Sequence, residues 1–187
     1  NGGSYCTGDA ISIDETGGVA TSWSWTSDGS ATFYPDATAQ NPDVTGAVDG
    51  EIFTVTGTDG NGCVNTSQTT LVINAVPTVT AANGGSYCTG DAMSVNETGG
   101  AATSWSWTSD GSATITSTTD QTPTITGAID GETFTVTGTD ANGCANTATT
   151  TIAINPVPNV DFEVTDGDCV PVVFTARGTA GVVPIAS

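Results

Sequence analysis

The chain has 187 residues, of which 20 are acidic and only Arg177 is basic; it has no Lys or His, and its net charge is −19. Such a surface has nothing to neutralise phosphates, which excludes nucleic acid and an anionic membrane face as partners. General-base and Schiff-base catalysis also lose their usual side chains. No apolar run approaches the ~18 residues of a membrane span.

The chain repeats itself. The decapeptide Asn1 to Ala10 returns as Asn83 to Ala92, an offset of 83 − 1 = 82, and Thr21 to Thr32 returns as Thr103 to Thr114. Phe53 to Asp59 returns as Phe134 to Asp140, at 134 − 53 = 81, so one residue is lost between Thr32 and Gly46, as a surface loop tolerates. Two copies of about 80 residues fit the length better than one domain. The expected domains are 1–75, 76–156 and, over 157–187, the start of a further, divergent copy. In that tail Val157-Pro-Asn-Val160 echoes Val76-Pro-Thr-Val79, and Cys169 follows Val157 at the spacing by which Cys88 follows Val76. The first copy begins without a Val-Pro-Thr-Val run, so the chain reads as part of a longer protein whose preceding residues supply that strand. Tandem copies point to an array built for reach or valency.

Within a copy, Thr, Val, Ile and Phe alternate between Gly, Asn, Asp and Pro punctuation, and no segment carries a helical period. The second copy is predicted to form strands near Thr78–Ala82, Ala92–Asn96, Thr103–Trp107, Ala113–Thr116, Pro123–Thr126, Thr133–Thr139 and Thr147–Asn155. Seven strands in about 80 residues predict an all-β protein of tandem immunoglobulin-like sandwiches. Alternation puts Trp23 and Trp25 on one face of a strand, likewise Trp105 and Trp107, with at least one of each pair in the core. Phe53 and Val55, matched by Phe134 and Val136, face inward, and the Thr residues between them face water. Before the last strand, Asp59-Gly-Asn-Gly-Cys63 and Asp140-Ala-Asn-Gly-Cys144 supply an Asn-Gly turn.

Cys6 and Cys63 recur as Cys88 and Cys144, without the spacing of a zinc site. They read as one disulfide per copy, Cys6 with Cys63 and Cys88 with Cys144, formed in an oxidising compartment. Buried free thiols are the alternative. Cys169 then has no partner within the chain.

Tyr-Cys-Thr-Gly-Asp at the start of a copy, Ser-Trp-Ser-Trp-Thr-Ser-Asp-Gly in its middle and Thr-Asp-x-Asn-Gly-Cys near its end resemble PKD-like and immunoglobulin-like repeats of very large bacterial surface proteins. The likeness is to adhesins exported by the gliding and secretion machinery of the Bacteroidetes. Trp25-Thr-Ser-Asp-Gly29 and Trp107-Thr-Ser-Asp-Gly111 look like a degenerate PKD Trp-x-Phe-Gly-Asp-Gly motif. That match implies Trp25 and Trp107 as core anchors, with Trp23 and Trp105 more exposed.

Candidate chemistry is sparse. Two carboxylates could serve a glycosidase, yet Asp14 and Glu15 are adjacent and point to opposite faces, and the second copy has Asn96-Glu97 there; no catalytic residue is expected. Calcium favours carboxylate and carbonyl oxygens, which makes Asp59, Asp140, Asp166 and Asp168 weak candidate ligands; turns explain them without metal, and no cofactor is expected. An exposed Trp23 or Trp105 would stack on sugar rings. Asn65-Thr-Ser67 and Asn96-Glu-Thr98 match a glycosylation sequon, read as chance in a bacterial protein.

The expected role is a non-catalytic, adhesive segment of a long extracellular, cell-surface stalk or filament. Its expected partners are neighbouring repeats, surface glycans or polysaccharide, and further copies in a self-assembled filament. A carbohydrate-binding module appended to a secreted enzyme, or a filament subunit, are the alternatives.

Overall fold

A computed structural model describes residues 3–163 and 175–178. Its elements are all strands. The first repeat contains β1 (Ser4–Cys6), β2 (Ile11–Ser12), β3 (Ala20–Ser27), β4 (Thr32–Tyr34), β5 (Asp43–Thr45), β6 (Ile52–Asp59), β7 (Val64–Thr70) and β8 (Val72–Asn74). The second contains β9 (Ala81–Ala82), β10 (Ser86–Cys88), β11 (Met93–Ser94), β12 (Asn96–Glu97), β13 (Ser104–Ser109), β14 (Thr114–Ile115), β15 (Thr124–Thr126), β16 (Thr133–Thr139), β17 (Ala145–Thr151) and β18 (Ala153–Asn155). In the tail, β19 (Val160–Glu163) pairs antiparallel with β20 (Thr175–Gly178).

Each repeat is a sandwich of two three-stranded antiparallel sheets, β3-β6-β7 over β2-β5-β4 and β13-β16-β17 over β11-β15-β14. Inward residues of both layers meet in one core per repeat. In the first, Trp25, Phe53 and Val55 from one sheet meet Val44 from the other, closed by Ile13 and Leu71; the Phe33 and Phe53 rings stand edge-to-face at 6.0 Å. In the second, Trp107, Phe134 and Val136 meet Ile125, closed by Val95 and Ile152. Sequence alternation produces this directly, since every second residue of β16 is buried. The Thr residues between are half-buried rather than fully exposed, because β16 is a central strand covered on both edges.

The short strand that ends in the first cysteine of each repeat pairs parallel with the repeat's last strand, Ser4–Cys6 along Val72–Asn74 and Ser86–Cys88 along Ala153–Asn155. The two strands therefore end at the same pole, the one from which the chain leaves the repeat. The last strand, expected to be continuous, breaks at Leu71 or Ile152, which turns into the core as the chain passes from one partner to another.

The lost residue lies between Phe33 and Asp36, in the exposed run from β4 to β5. That loop still crosses the core tryptophan in both copies: Trp25 Nε1 donates to the Ala39 carbonyl at 2.9 Å and Trp107 Nε1 to that of Asp120 at 3.0 Å.

The candidate functional site, a joint between repeats

Both repeated cysteine motifs fold as turns that present sulfur. After β1, Gly8 takes φ 98° and the Asp9 carboxylate accepts the Cys6 N–H at 2.8 Å; Gly90 and Asp91 do the same for Cys88, at 2.7 Å. Between β6 and β7, Asp59 Oδ1 accepts the Asn61 and Cys63 N–H groups, both at 2.8 Å, while Gly62 takes φ 81°. Asp140 does this for Asn142 and Cys144, both at 2.9 Å. The N–H groups of Cys63 and then Asn61 hold the Asp59 carboxyl below its ordinary range. Asp59 and Asp140 thus cap turns, and among the described residues no three His, Cys, Asp or Glu side chains gather as a metal site. Asp166, Asp168 and Cys169 lie outside the described residues.

The pairing within each copy is overturned. Cys6 of the first repeat is bonded to Cys144 of the second, with Cα atoms 5.5 Å apart, while Cys63 and Cys88 are free and exposed. The strand directions explain it. Cys6 ends β1 beside Asn74, the end of β8, whereas Cys63 sits at the start of β7, about 11 residues and roughly 35 Å of extended chain away. Disulfide-bonded Cα atoms lie within about 7 Å. The end of the first repeat is instead the neighbour of the β16–β17 turn of the second, whose Cys144 Sγ lies 4.0 Å from the Asn74 carbonyl.

Around this bond the connecting segment is held as a strand. Asn146 Nδ2 donates to the Pro77 carbonyl at 3.1 Å, Thr98 N–H to that of Thr80 at 2.9 Å, and β9 pairs with β12. Val79 lies against Gly138, where an added Cβ would come within 2.7 Å of it. Glu97 completes the seat: its carboxylate accepts Trp105 Nε1 at 3.0 Å and the N–H groups of Thr80, at 3.2 Å, and Gly99. Burial pushes this carboxyl up, but the Gly99 and Thr80 N–H groups with the Trp105 indole outweigh it and hold the group below its ordinary range.

Trp25 and Trp107 are the buried members of their pairs, 4% and 1% exposed, while Trp23 and Trp105 are half-buried. Trp23 Nε1 donates to Glu15 at 3.0 Å, as Trp105 does to Glu97, so neither half-buried indole stands free. Two further buried carboxylates were not anticipated from the sequence. Glu51 accepts the Ala31 and Val48 N–H groups, both at 2.9 Å, and Glu132 those of Ala113, at 2.8 Å, and Ile129, at 2.9 Å. Burial pushes each up, and these N–H groups pull each below its ordinary range. The legible signal was the paired Asp-Gly at Asp28-Gly29 and Asp110-Gly111, since an added Cβ on Gly29 or Gly111 would lie 2.5 Å from the glutamate carboxyl carbon.

No family model and no curated protein matches the chain. Among solved structures, it is similar to fibronectin(III)-like modules of CbhA from Clostridium thermocellum, at 13% identity and TM-score 0.42, over 83% of this chain and 90% of that one. It is also similar to the SGBP-B protein of the Bacteroides ovatus mixed-linkage glucan utilization locus, solved with a mixed-linkage heptasaccharide, at 13% identity and TM-score 0.32, over 81% of this chain and 42% of that one. Protocadherin gammaB7 domains EC3-6 match at 11% identity and TM-score 0.30, over 92% of this chain and 53% of that one.

Proposed function

We propose that the chain is a load-bearing, non-catalytic repeat segment of a long adhesive stalk or filament on a bacterial surface, of the gliding-adhesin kind that its Thr-Asp-x-Asn-Gly-Cys turns resemble. The observation that carries this reading is the position of the disulfide. A bond inside each domain would stabilise beads on a flexible string, whereas Cys6–Cys144 crosses the joint and restrains one bead against the next. A binding module has little use for that restraint; a stalk transmitting force depends on it. The bond also fits an oxidising, extracytoplasmic setting. Repetition then multiplies weak surface contacts into avidity. The glycan-module reading would rest on the faces of Trp23 and Trp105, which are half-buried and whose Nε1 groups are held by Glu15 and Glu97.

Small-angle scattering tests the reading. Beads of roughly 35–40 Å joined end to end give a maximum dimension of about 100 Å for two repeats and the tail. A compact particle near ~50 Å, the size of two beads side by side, overturns the stalk.

A further inference from the structure

One groove differs between the two repeats. In the second, the segment 76–82 lies in a groove floored by Gly138 and edged by Glu97, Ala102 and Asn146. The first repeat has the same groove, built from Gly57, Glu15, Ala20 and Asn65, with Cys63 at its mouth, and there it is an open hollow of about 260 Å³. Among the described residues nothing fills it. Burial records the difference residue by residue. Gly138, Glu97 and Cys144 are buried, whereas Gly57 and Glu15 are half-buried and Cys63 is exposed. Val136 is 0% exposed and its counterpart Val55 is 8%. Asn65 lacks the carbonyl that Asn146 holds at Pro77, though its amide is equally placed at the start of β7. At the far pole of the second repeat, Cys88 repeats the Cys6 turn and is free.

We propose that the groove of the first repeat is a strand-accepting site for a further repeat of the same kind, taking its connecting segment as an extra edge strand and locking it through Cys63. The occupant's chemistry is read from the occupied groove: an extended Val-Pro-Thr-Val-Thr-Ala-Ala run whose proline carbonyl meets Asn65, whose second valine covers Gly57, and whose partner cysteine sits beside the run's start. Cys88 is the matching half at the opposite pole, so joints of one kind extend in both directions. The lock forms by thiol–disulfide exchange. The incoming cysteine, carried as a mixed disulfide with a small thiol such as glutathione, is attacked at sulfur by the Cys63 thiolate. The new S–S bond forms as the old one breaks, and the small thiol leaves with the electron pair and takes up the proton that Cys63 lost. This inference rests on the end-to-end reading, which it deepens by naming the partner.

Disulfide capture on the whole chain tests it, with Cys169→Ser to simplify the thiol count and Cys88 as the internal control. The probe is a synthetic peptide of residues 74–83 carrying Asn74→Cys, supplied as its glutathione mixed disulfide. At limiting peptide, mapping should find Cys63 captured over Cys88 by about tenfold or more, because the groove raises the local concentration of the bound peptide. A shuffled peptide with its cysteine at the same end should label both sites alike. Asn65→Ala, an exposed position that leaves the core untouched, should cut the preference severalfold. Equal capture of both cysteines by the native-order peptide, the same preference with the shuffled one, or indifference to Asn65→Ala overturns the site. The stalk reading fails separately, on the dimensions of the unlabelled chain in solution.

Discussion

Pulling the oxidised chain by its ends loads a path that skips most of the protein. Force entering at Asn1 reaches Cys6, crosses to Cys144 and leaves along β17, β18 and the tail, so a sequence separation of 138 lies outside the covalent load path. At ~3.5 Å per extended residue that shielded stretch is about 480 Å of contour. Single-molecule stretching with handles at both termini should therefore show an oxidised chain that lengthens only through the ~50 residues outside the bridge, about 170 Å. Reduction, or Cys6→Ser, should release the rest in two steps of roughly 200 Å, one per sandwich, after subtracting ~40 Å for each folded bead. Bonds inside each copy predict a different record: two short steps in the oxidised protein, since about 57 residues would stay locked in each. Seeing those short steps, or full steps before reduction, would refute the inter-repeat staple and the load-bearing argument built on it.

Reduction should also lower the stability of both repeats together, because whichever one unfolds is closed into a loop of about 70 residues by the bond and the intact neighbour; the ceiling is about 4 kcal/mol each, read as two calorimetric transitions that both shift. Trp107→Ala should cost about 3–5 kcal/mol in denaturant titration and Trp105→Ala clearly less, the reverse order sinking the core assignment. Glu132→Gln should destabilise the second repeat by about 1.5–3 kcal/mol, since an amide offers one oxygen where two N–H groups need acceptors. Glu51, Glu97 and Glu132 are all held below the ordinary glutamate value. The stability they confer is therefore full above about pH 4.3 and lost as pH falls through their lower folded values; melting temperatures that stay flat from pH 6 to about pH 3 would contradict this.

Much of the fold was legible because it is periodic. The strand predicted at Thr133–Thr139 is β16 residue for residue, since alternation of Phe134 and Val136 with threonines has one physical solution when one face must be dry. The same alternation limited each tryptophan pair to one face, and which member goes deeper is decided by the loop that crosses the ring of Trp25 or Trp107. Elements without a period stayed hidden. Ser86–Cys88 is three residues in a glycine-rich setting, and its parallel pairing to the chain's far end leaves no local mark. Glu51 and Glu132 have no place in the alternating pattern, because what buries them is backbone N–H groups that hydrophobic periodicity does not locate.

The cysteines show where such reading stops. In a tandem array, a first and a second cysteine within one copy and a first cysteine with the second of the next copy leave the same spacing in the sequence. Matched positions therefore established that two kinds of cysteine exist and could not say which ones meet. Direction settles it: β1 runs parallel to β8, so Cys6 ends at the pole where the chain departs, and the β6–β7 turn carrying Cys63 lies at the pole where it arrives. In this chain the departing pole of the first repeat meets the arriving pole of the second. Because the strand that ends in the first cysteine of a repeat runs parallel to its last strand, that cysteine and the one in the turn at the opposite pole lie too far apart to bond within a repeat and can meet only across a joint.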